Sequence, residues 1–227
     1  MALDPAEHML SEAELVAEML TQAALSQELN IPPYKRTFDL LVSLPLVACF
    51  LFSLFWVVIL NPFFNKGRIF FVQERIGQNG KVFKIRKFRT MVGGLSDARF
   101  QNEEKNRITG FGEFLRRTRI DELPQIWNVF VGDMSLIGPR PERPKFVVEY
   151  MERIPNYARR LAVRPGISGL AQLRHGYTSD VAGTGRKLRW DLEYINRMSF
   201  RLDMVILGET ARIVFGRMFF IEVKTKL

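Results

Sequence analysis

Residues 38–60 read FDLLVSLPLVACFLFSLFWVVIL, and the fold turns on what this run does. Asp39 is its only charge. Wound as one continuous helix it would reach about 35 Å, enough for a hydrocarbon core of ~30 Å. Two details oppose a simple span. Pro45 lacks the N–H that a helix interior uses, so it removes a hydrogen bond and bends the chain. Basic residues flank both ends, Lys35-Arg36 before and Lys66 and Arg68 after, so the positive-inside rule assigns no orientation. A broken helix that enters and leaves on one face satisfies both observations. The expected segment is 35–62, membrane-inserted and re-entrant; a buried core helix in a soluble protein is the alternative.

Upstream, residues 1–34 carry Met9, Ala13, Val16, Leu20, Ala23 and Ala24 at three- and four-residue spacing, until Pro32-Pro33 ends the pattern. This extension reads as an amphipathic helix that packs on the body or pairs two copies as a homodimer, with a partly disordered tail as the alternative. Its first 30 residues hold six acids and no Lys or Arg, the reverse of a basic leader, so no signal peptide is expected.

Downstream, 63–227 has room for one domain of ordinary size. IFFVQERI and KVFKIRKFRT, joined by Gly77-Gln78-Asn79-Gly80, read as a β-hairpin over 69–90. Alternation puts Lys87 and Arg89 on one face, either a solvated basic face or an anion-binding one. After a polar loop over 92–108, FGEFLRRTRI is helical in pattern and leads to Pro124, which a first helical turn tolerates. Helices are expected over 142–161 and 186–198. FRLDMVILGETARIVFGRMFF then forms a long amphipathic helix with Arg201, Arg212 and Arg217 on an apolar body, suited to a membrane interface or to core packing. The expected fold is α+β and mostly helical: a re-entrant membrane helix, a small β-hairpin and interfacial amphipathic helices.

The net charge of +9, from 33 Lys+Arg against 24 Asp+Glu, suits an anionic partner: nucleic acid, an anionic membrane face or a phosphorylated small molecule. Nucleic acid is disfavoured, because the aromatic residues follow apolar runs rather than a stacking platform. The single Cys49 excludes an internal disulfide, and His8 and His175 stand far apart with no zinc spacing. A metal here would take oxygen ligands, which favours magnesium or manganese.

The chemistry concentrates in 116–141, RRTRIDELPQIWNVFVGDMSLIGPRP. An adjacent pair of acids, Asp121-Glu122, follows Arg116, Arg117 and Arg119, and the stretch closes on Arg140 between two prolines. Such a set can hold a divalent metal and a phosphorylated substrate together. One carboxylate attacks phosphorus or takes a proton while the other helps hold the metal. The stiff backbone around Arg140 suits a bidentate phosphate clamp. Asp121 is expected near a helix N-terminus, where the dipole would lower its pKa. The glycines of Arg164-Pro165-Gly166-Ile167-Ser168-Gly169 would let backbone approach a ligand closely. An isolated Asp-Glu pair is most often a solvated helix start; the surrounding charge gives this one its weight.

Five pieces in order, KRTFD at 35–39, FFVQERIGQNGKVFKIRKFRTM at 70–91, LRRTRIDELPQIWNVFVGDMSLIGPRPE at 115–142, RPGISGLAQ at 164–172, and KLRWDLEYI with FRLDMVIL, resemble the monotopic polyprenyl-phosphate phosphoglycosyl transferases, or bacterial sugar transferases. The resemblance covers roughly 35–215 and leaves the first 34 residues outside. It implies transfer of a sugar 1-phosphate from a UDP-sugar to a polyprenyl (undecaprenyl) phosphate, with release of UMP, as the first membrane step of a bacterial glycoconjugate pathway. By the same resemblance Asp121 is the nucleophile that forms a covalent phosphosugar intermediate, and Glu122 helps Asp121 bind Mg²⁺. Arg140 grips phosphate, and Lys87, Arg89 and Arg164 contact phosphate or nucleotide. The resemblance also places 63–227 as a catalytic domain on the cytoplasmic face of the bacterial inner membrane, in contact with membrane lipids. Two departures stand out. Leu51-Phe52 occupy the place of a usual Ser-Pro pair, and Leu170 that of a frequent tryptophan. Two other classes use the same features: a metal-dependent lipid phosphatase or phosphodiesterase, and a non-enzymatic scaffold that binds anionic lipid.

Overall fold

The apolar run forms most of one 31-residue helix, α1 (Tyr34–Phe64), with Pro45 and Pro62 inside it. The computed structural model describes residues 14–16, 18, 31–92, 107–175 and 181–218. Among these, α1 is the one helix long and apolar enough to cross a membrane. Pro45 does not end it. Two residues earlier, Ser43 Oγ donates to the Asp39 carbonyl at 2.6 Å, a back-bond that eases helix bending.

Both ends of α1 are tied to the same body. In its first turns Lys35 Nζ donates to Asp203 Oδ2 at 2.9 Å and to Tyr194 Oη at 2.8 Å. Arg36 donates to the carbonyls of Val129 and Phe130. Asp39 Oδ1 accepts from Ser135 Oγ at 2.9 Å and from the Leu136 N–H at 3.0 Å. At the far end Val57 is buried with Phe88 and Leu115, and Asn61 Nδ2 donates to the Gly67 carbonyl at 2.8 Å. Between these anchors Leu44, Leu51, Phe52, Phe55 and Trp56 are exposed. A contiguous apolar surface of that kind needs a non-aqueous cover.

The hairpin forms as expected. β1 (Phe70–Ile76) pairs antiparallel with β2 (Val82–Phe88), in register from Phe70↔Phe88 to Ile76↔Val82. Its turn is a 3₁₀ helix, Gln78–Gly80, in which Asn79 takes a left-handed φ of 54° that asparagine tolerates. Next come α2 (Gly110–Arg117), capped by Thr109 Oγ1 accepting from Gly112 N, then a 3₁₀ segment Ile120–Gln125 and α3 (Ile126–Val131).

Two expectations are corrected here. The helix expected over 142–161 is only α4 (Pro144–Arg153). Ile154 is extended at φ −119°, ψ 112°, as the residue before Pro155 must be, and a 3₁₀ turn Tyr157–Ala162 follows. The Arg164–Gly169 stretch is not all loop: Gly166–Ser168 forms β4, parallel to β3 (Ser135–Ile137). A Cβ on Gly166 would overlap the Gly138 backbone nitrogen, and one on Gly169 the Gly138 carbonyl oxygen. The glycines let two backbones touch each other.

The chain continues through α5 (Leu170–His175), α6 (Val181–Asn196) and α7 (Phe200–Met218). Phe83, Ile85, Val129, Met134, Ile137, Tyr194 and Ile206 join hairpin, α3, β3, α6 and α7 in one core. Within the N-terminal extension residues 14–16 and 18 are helical, and Val16 is fully buried with Ile76, Val147, Tyr157 and Leu188. That part packs on the body; the other positions of its apolar pattern lie outside the described residues. The fold is α+β and mostly helical.

Candidate active site

The hairpin and the 3₁₀ segment meet at Glu122. Lys87, near the end of β2, places Nζ 2.8 Å from Glu122 Oε1. Arg140 Nη2 reaches the same oxygen at 2.9 Å, and Arg119 Nη1 stands 3.8 Å from Oε2. Arg119 closes α2 in a left-handed conformation, φ 59°, which turns the chain so that both acids face inward. Asp121 and Glu122 are buried, 8% and 7% exposed. Arg116 Nε donates to Thr90 Oγ1 at 2.7 Å and so braces the turn against the end of the hairpin.

These neighbours give the two acids opposite character. Burial alone would raise Glu122, but Arg140, Lys87 and Arg119 together outweigh it and hold the carboxyl well below the usual range. Asp121 is pushed up to about 6, first by burial and then by the charge of Glu122, against the pull of Lys87, Arg119 and Arg116. The lowering expected from a helix N-terminus does not occur. The helix that follows Asp121 is a short 3₁₀ turn, and desolvation outweighs its dipole. Burial likewise lowers Lys87, with Glu122 opposing. Asp121 Oδ1 is a buried oxygen with no hydrogen-bond partner. One acid is committed to cations, and the other is left more basic with a free oxygen, the division that lets neighbouring carboxylates take different roles.

Of the residues singled out from sequence, Lys87, Asp121, Glu122 and Arg140 come together. Arg89 does not join them: its guanidinium donates to the Asn65 and Lys66 carbonyls at the end of α1, and Asn65 Nδ2 returns a bond to the Arg89 carbonyl at 2.6 Å. Arg164 lines a small cavity with Lys35, Ser135 and Tyr194, and no described contact links its side chain to either acid. Sequence reasoning missed Arg75, Arg160 and Asp191 beneath the Arg140 loop. The available signal was an acid at a core position of α6, on the stripe of Thr184, Leu188 and Ile195.

Among the described residues no group of three or more His, Cys, Asp or Glu converges as a metal cage. Magnesium does not require one, since it is held by one or two carboxylates together with substrate phosphates and water. Asp121 Oδ1 fits such an ion because it is buried and unpartnered, and Glu122 offers Oε2 while Oε1 serves Lys87 and Arg140.

Comparison with known proteins identifies the family. The family model described as bacterial sugar transferase matches residues 31–217. The UDP-N-acetylgalactosamine-undecaprenyl-phosphate N-acetylgalactosaminephosphotransferase of Aeromonas hydrophila is 40% identical over 79% of this chain and 43% of its own length. The UDP-glucose:undecaprenyl-phosphate glucose-1-phosphate transferase of Xanthomonas campestris pv. campestris is 42% identical over 67% of this chain and 33% of its own length. The chain thus spans less than half of either relative. Exopolysaccharide production protein PSS of Rhizobium leguminosarum bv. phaseoli is 38% identical over 80% of this chain and 92% of its own length. With the family match running through α1, the hairpin, the Asp121-Glu122 cluster and all but the last residue of α7, the chain belongs to the bacterial sugar transferases.

Proposed function

We propose that this protein is a phosphoglycosyl transferase that moves a sugar 1-phosphate from a UDP-sugar to a polyprenyl phosphate such as undecaprenyl phosphate, releasing UMP. The observation that carries this is the unpartnered Oδ1 of Asp121, buried beside a carboxylate already neutralised by Lys87 and Arg140. Asp121 attacks the β-phosphorus of the UDP-sugar. The bond from that phosphorus to the bridging oxygen breaks, and UMP leaves with the electron pair. Lys87 and Arg140 meet the phosphate charge as it builds, in a site where burial strengthens each interaction. A phosphate oxygen of the lipid then attacks the same phosphorus, the bond to Asp121 breaks, and the carboxylate returns as polyprenyl-diphosphate sugar forms. A Mg²⁺ held by Asp121 and Glu122 would neutralise diphosphate charge.

The acceptor sets where this happens. We place α1 in the cytoplasmic face of a bacterial inner membrane, entering and leaving on the same side. This is supported by the exposed apolar middle of α1 and by the polar anchors of both its ends on one body, Lys35 to Asp203 and Asn65 to Arg89. The test is UMP release from UDP-glucose and UDP-N-acetylgalactosamine with Mg²⁺, with and without undecaprenyl phosphate. Transfer predicts sustained release only with the lipid. Sustained release without it means hydrolysis. Membrane binding with no release in any mixture means a lipid-binding scaffold.

A further inference from the structure

The loop that carries Arg140 is held from beneath by side chains. Pro139 and Pro141 have no N–H, so Pro139-Arg140-Pro141 cannot extend the β3–β4 pairing in the usual way. Each carbonyl is met singly: Pro139 by the Gly166 N–H at 2.9 Å, Arg140 by Arg160 Nη2 at 2.7 Å, and Pro141 by Arg75 Nη1 at 3.1 Å.

Arg160 has a side chain only 3% exposed, so it does not meet substrate directly. Its Nε and Nη2 each lie 2.9 Å from Asp191 Oδ2, and Nη1 donates to Tyr157 Oη at 3.1 Å. Asp191 projects from the buried stripe of α6. Burying such a pair gives little net stability, because desolvation offsets the attraction, and apolar residues of similar volume would pack as well. What apolar residues could not supply is the donor on the Arg140 carbonyl. That bond fixes the backbone from which the Arg140 guanidinium reaches Glu122.

We infer that Arg160 and Asp191 are positioning residues for sugar-phosphate transfer: Asp191 and Tyr157 orient the Arg160 guanidinium, and Arg160 sets Arg140 where it receives the phosphate. This rests on the function proposed above. A displacement of about 1 Å at such a group costs roughly 100-fold in rate.

The test crosses Arg160→Lys, Asp191→Asn and Tyr157→Phe with Arg140→Ala. Lysine keeps a cation against Asp191 but cannot span three acceptors as the guanidinium fork does. The expected loss for Arg160→Lys and Asp191→Asn is about 10- to 100-fold in kcat, with KM for the UDP-sugar raised by up to about 10-fold as the grip on its diphosphate weakens. In the Arg140→Ala background the same changes lower kcat by less than about twofold, because coupled residues are not additive. Equal losses in both backgrounds, or no loss with Arg140 present, overturn the inference. Tyr157→Phe deletes one hydroxyl and keeps the packing, so it serves if the other variants fail to fold; it predicts a smaller kcat loss that also vanishes in Arg140→Ala. UDP, whose terminal phosphate carries the charge that Arg140 meets, reads the same coupling by calorimetry without turnover. Its affinity should fall roughly 10-fold in Arg160→Lys and not further in Arg140→Ala. A wild-type chain that binds UDP but releases no UMP refutes the transfer reaction and leaves this coupling measurable; equal UDP affinity in Arg160→Lys and wild type refutes the positioning role.

Discussion

Asp121 is held in a costly ionisation state, and that cost predicts how its removal behaves. Its pKa rises from an ordinary 3.8 to about 6 on folding, so ionisation opposes the folded state. The opposition is absent below about pH 4, builds as pH rises to about 6, and is complete above. Asp121→Asn should therefore abolish turnover and yet stabilise the protein by roughly 1–3 kcal/mol at pH 7.5, with no gain near pH 4. Melting curves at the two pH values check this. The same pKa predicts that kcat/KM falls below about pH 6, as the nucleophile is protonated. Glu122→Gln removes the adjacent negative charge, so the acid limb of that profile should move to lower pH. It also takes the carboxylate charge from buried Lys87, at a cost of about 3 kcal/mol in stability. At this scale the residue types were legible in the sequence, because the acids and Arg140 lie within one short stretch. Their environment was not. The direction of the Asp121 shift depends on burial beneath β2 and on Lys87, which is 34 positions away in the chain and adjacent only after folding.

Among the elements, those built from local periodicity were the easiest to read. The hairpin, α1 and α7 declare themselves by alternation or apolar spacing, and the structure places them close to the expected bounds. Misreadings arose where a partner decides the outcome. The Gly166 and Gly169 positions look like ligand-facing turns until Gly138 is seen packed against them. Gly166→Ala should accordingly prise β4 from β3 and lower thermal stability sharply, whereas Gly110→Ala, with open space around it, should not. The start of α1 offers a second check. Lys35 and Asp203 are both buried, and their side chains are 2.9 Å apart. Asp203→Ala removes the carboxylate that neutralises buried Lys35 and accepts from the Tyr194 hydroxyl, and should cost about 3–5 kcal/mol, measured by unfolding in micelles.

For the whole molecule, one exposed apolar helix is joined to a basic body, the pair of features on which the proposed membrane placement rests. α7 exposes Phe200, Val205 and Phe215 beside Arg201, Arg212 and Arg217, a composition suited to an interface that is both apolar and anionic. Reporter tags at the N- and C-termini should both read cytoplasm; opposite sides would contradict a re-entrant α1. The sequence foretold the apolar run and the basic excess, but not that both ends of α1 are fastened to one body, since Lys35–Asp203 and Asn65–Arg89 form only on folding. On the proposed function that arrangement brings a membrane-borne acceptor to Asp121, and the proposed nucleophile can be tested by trapping its adduct. Purified protein mixed with a UDP-sugar and Mg²⁺, without polyprenyl phosphate, should yield one phosphosugar adduct, found by mass spectrometry on Asp121 and discharged when the lipid is added. Sustained transfer to lipid with no adduct at Asp121, or turnover surviving in Asp121→Asn, would contradict it.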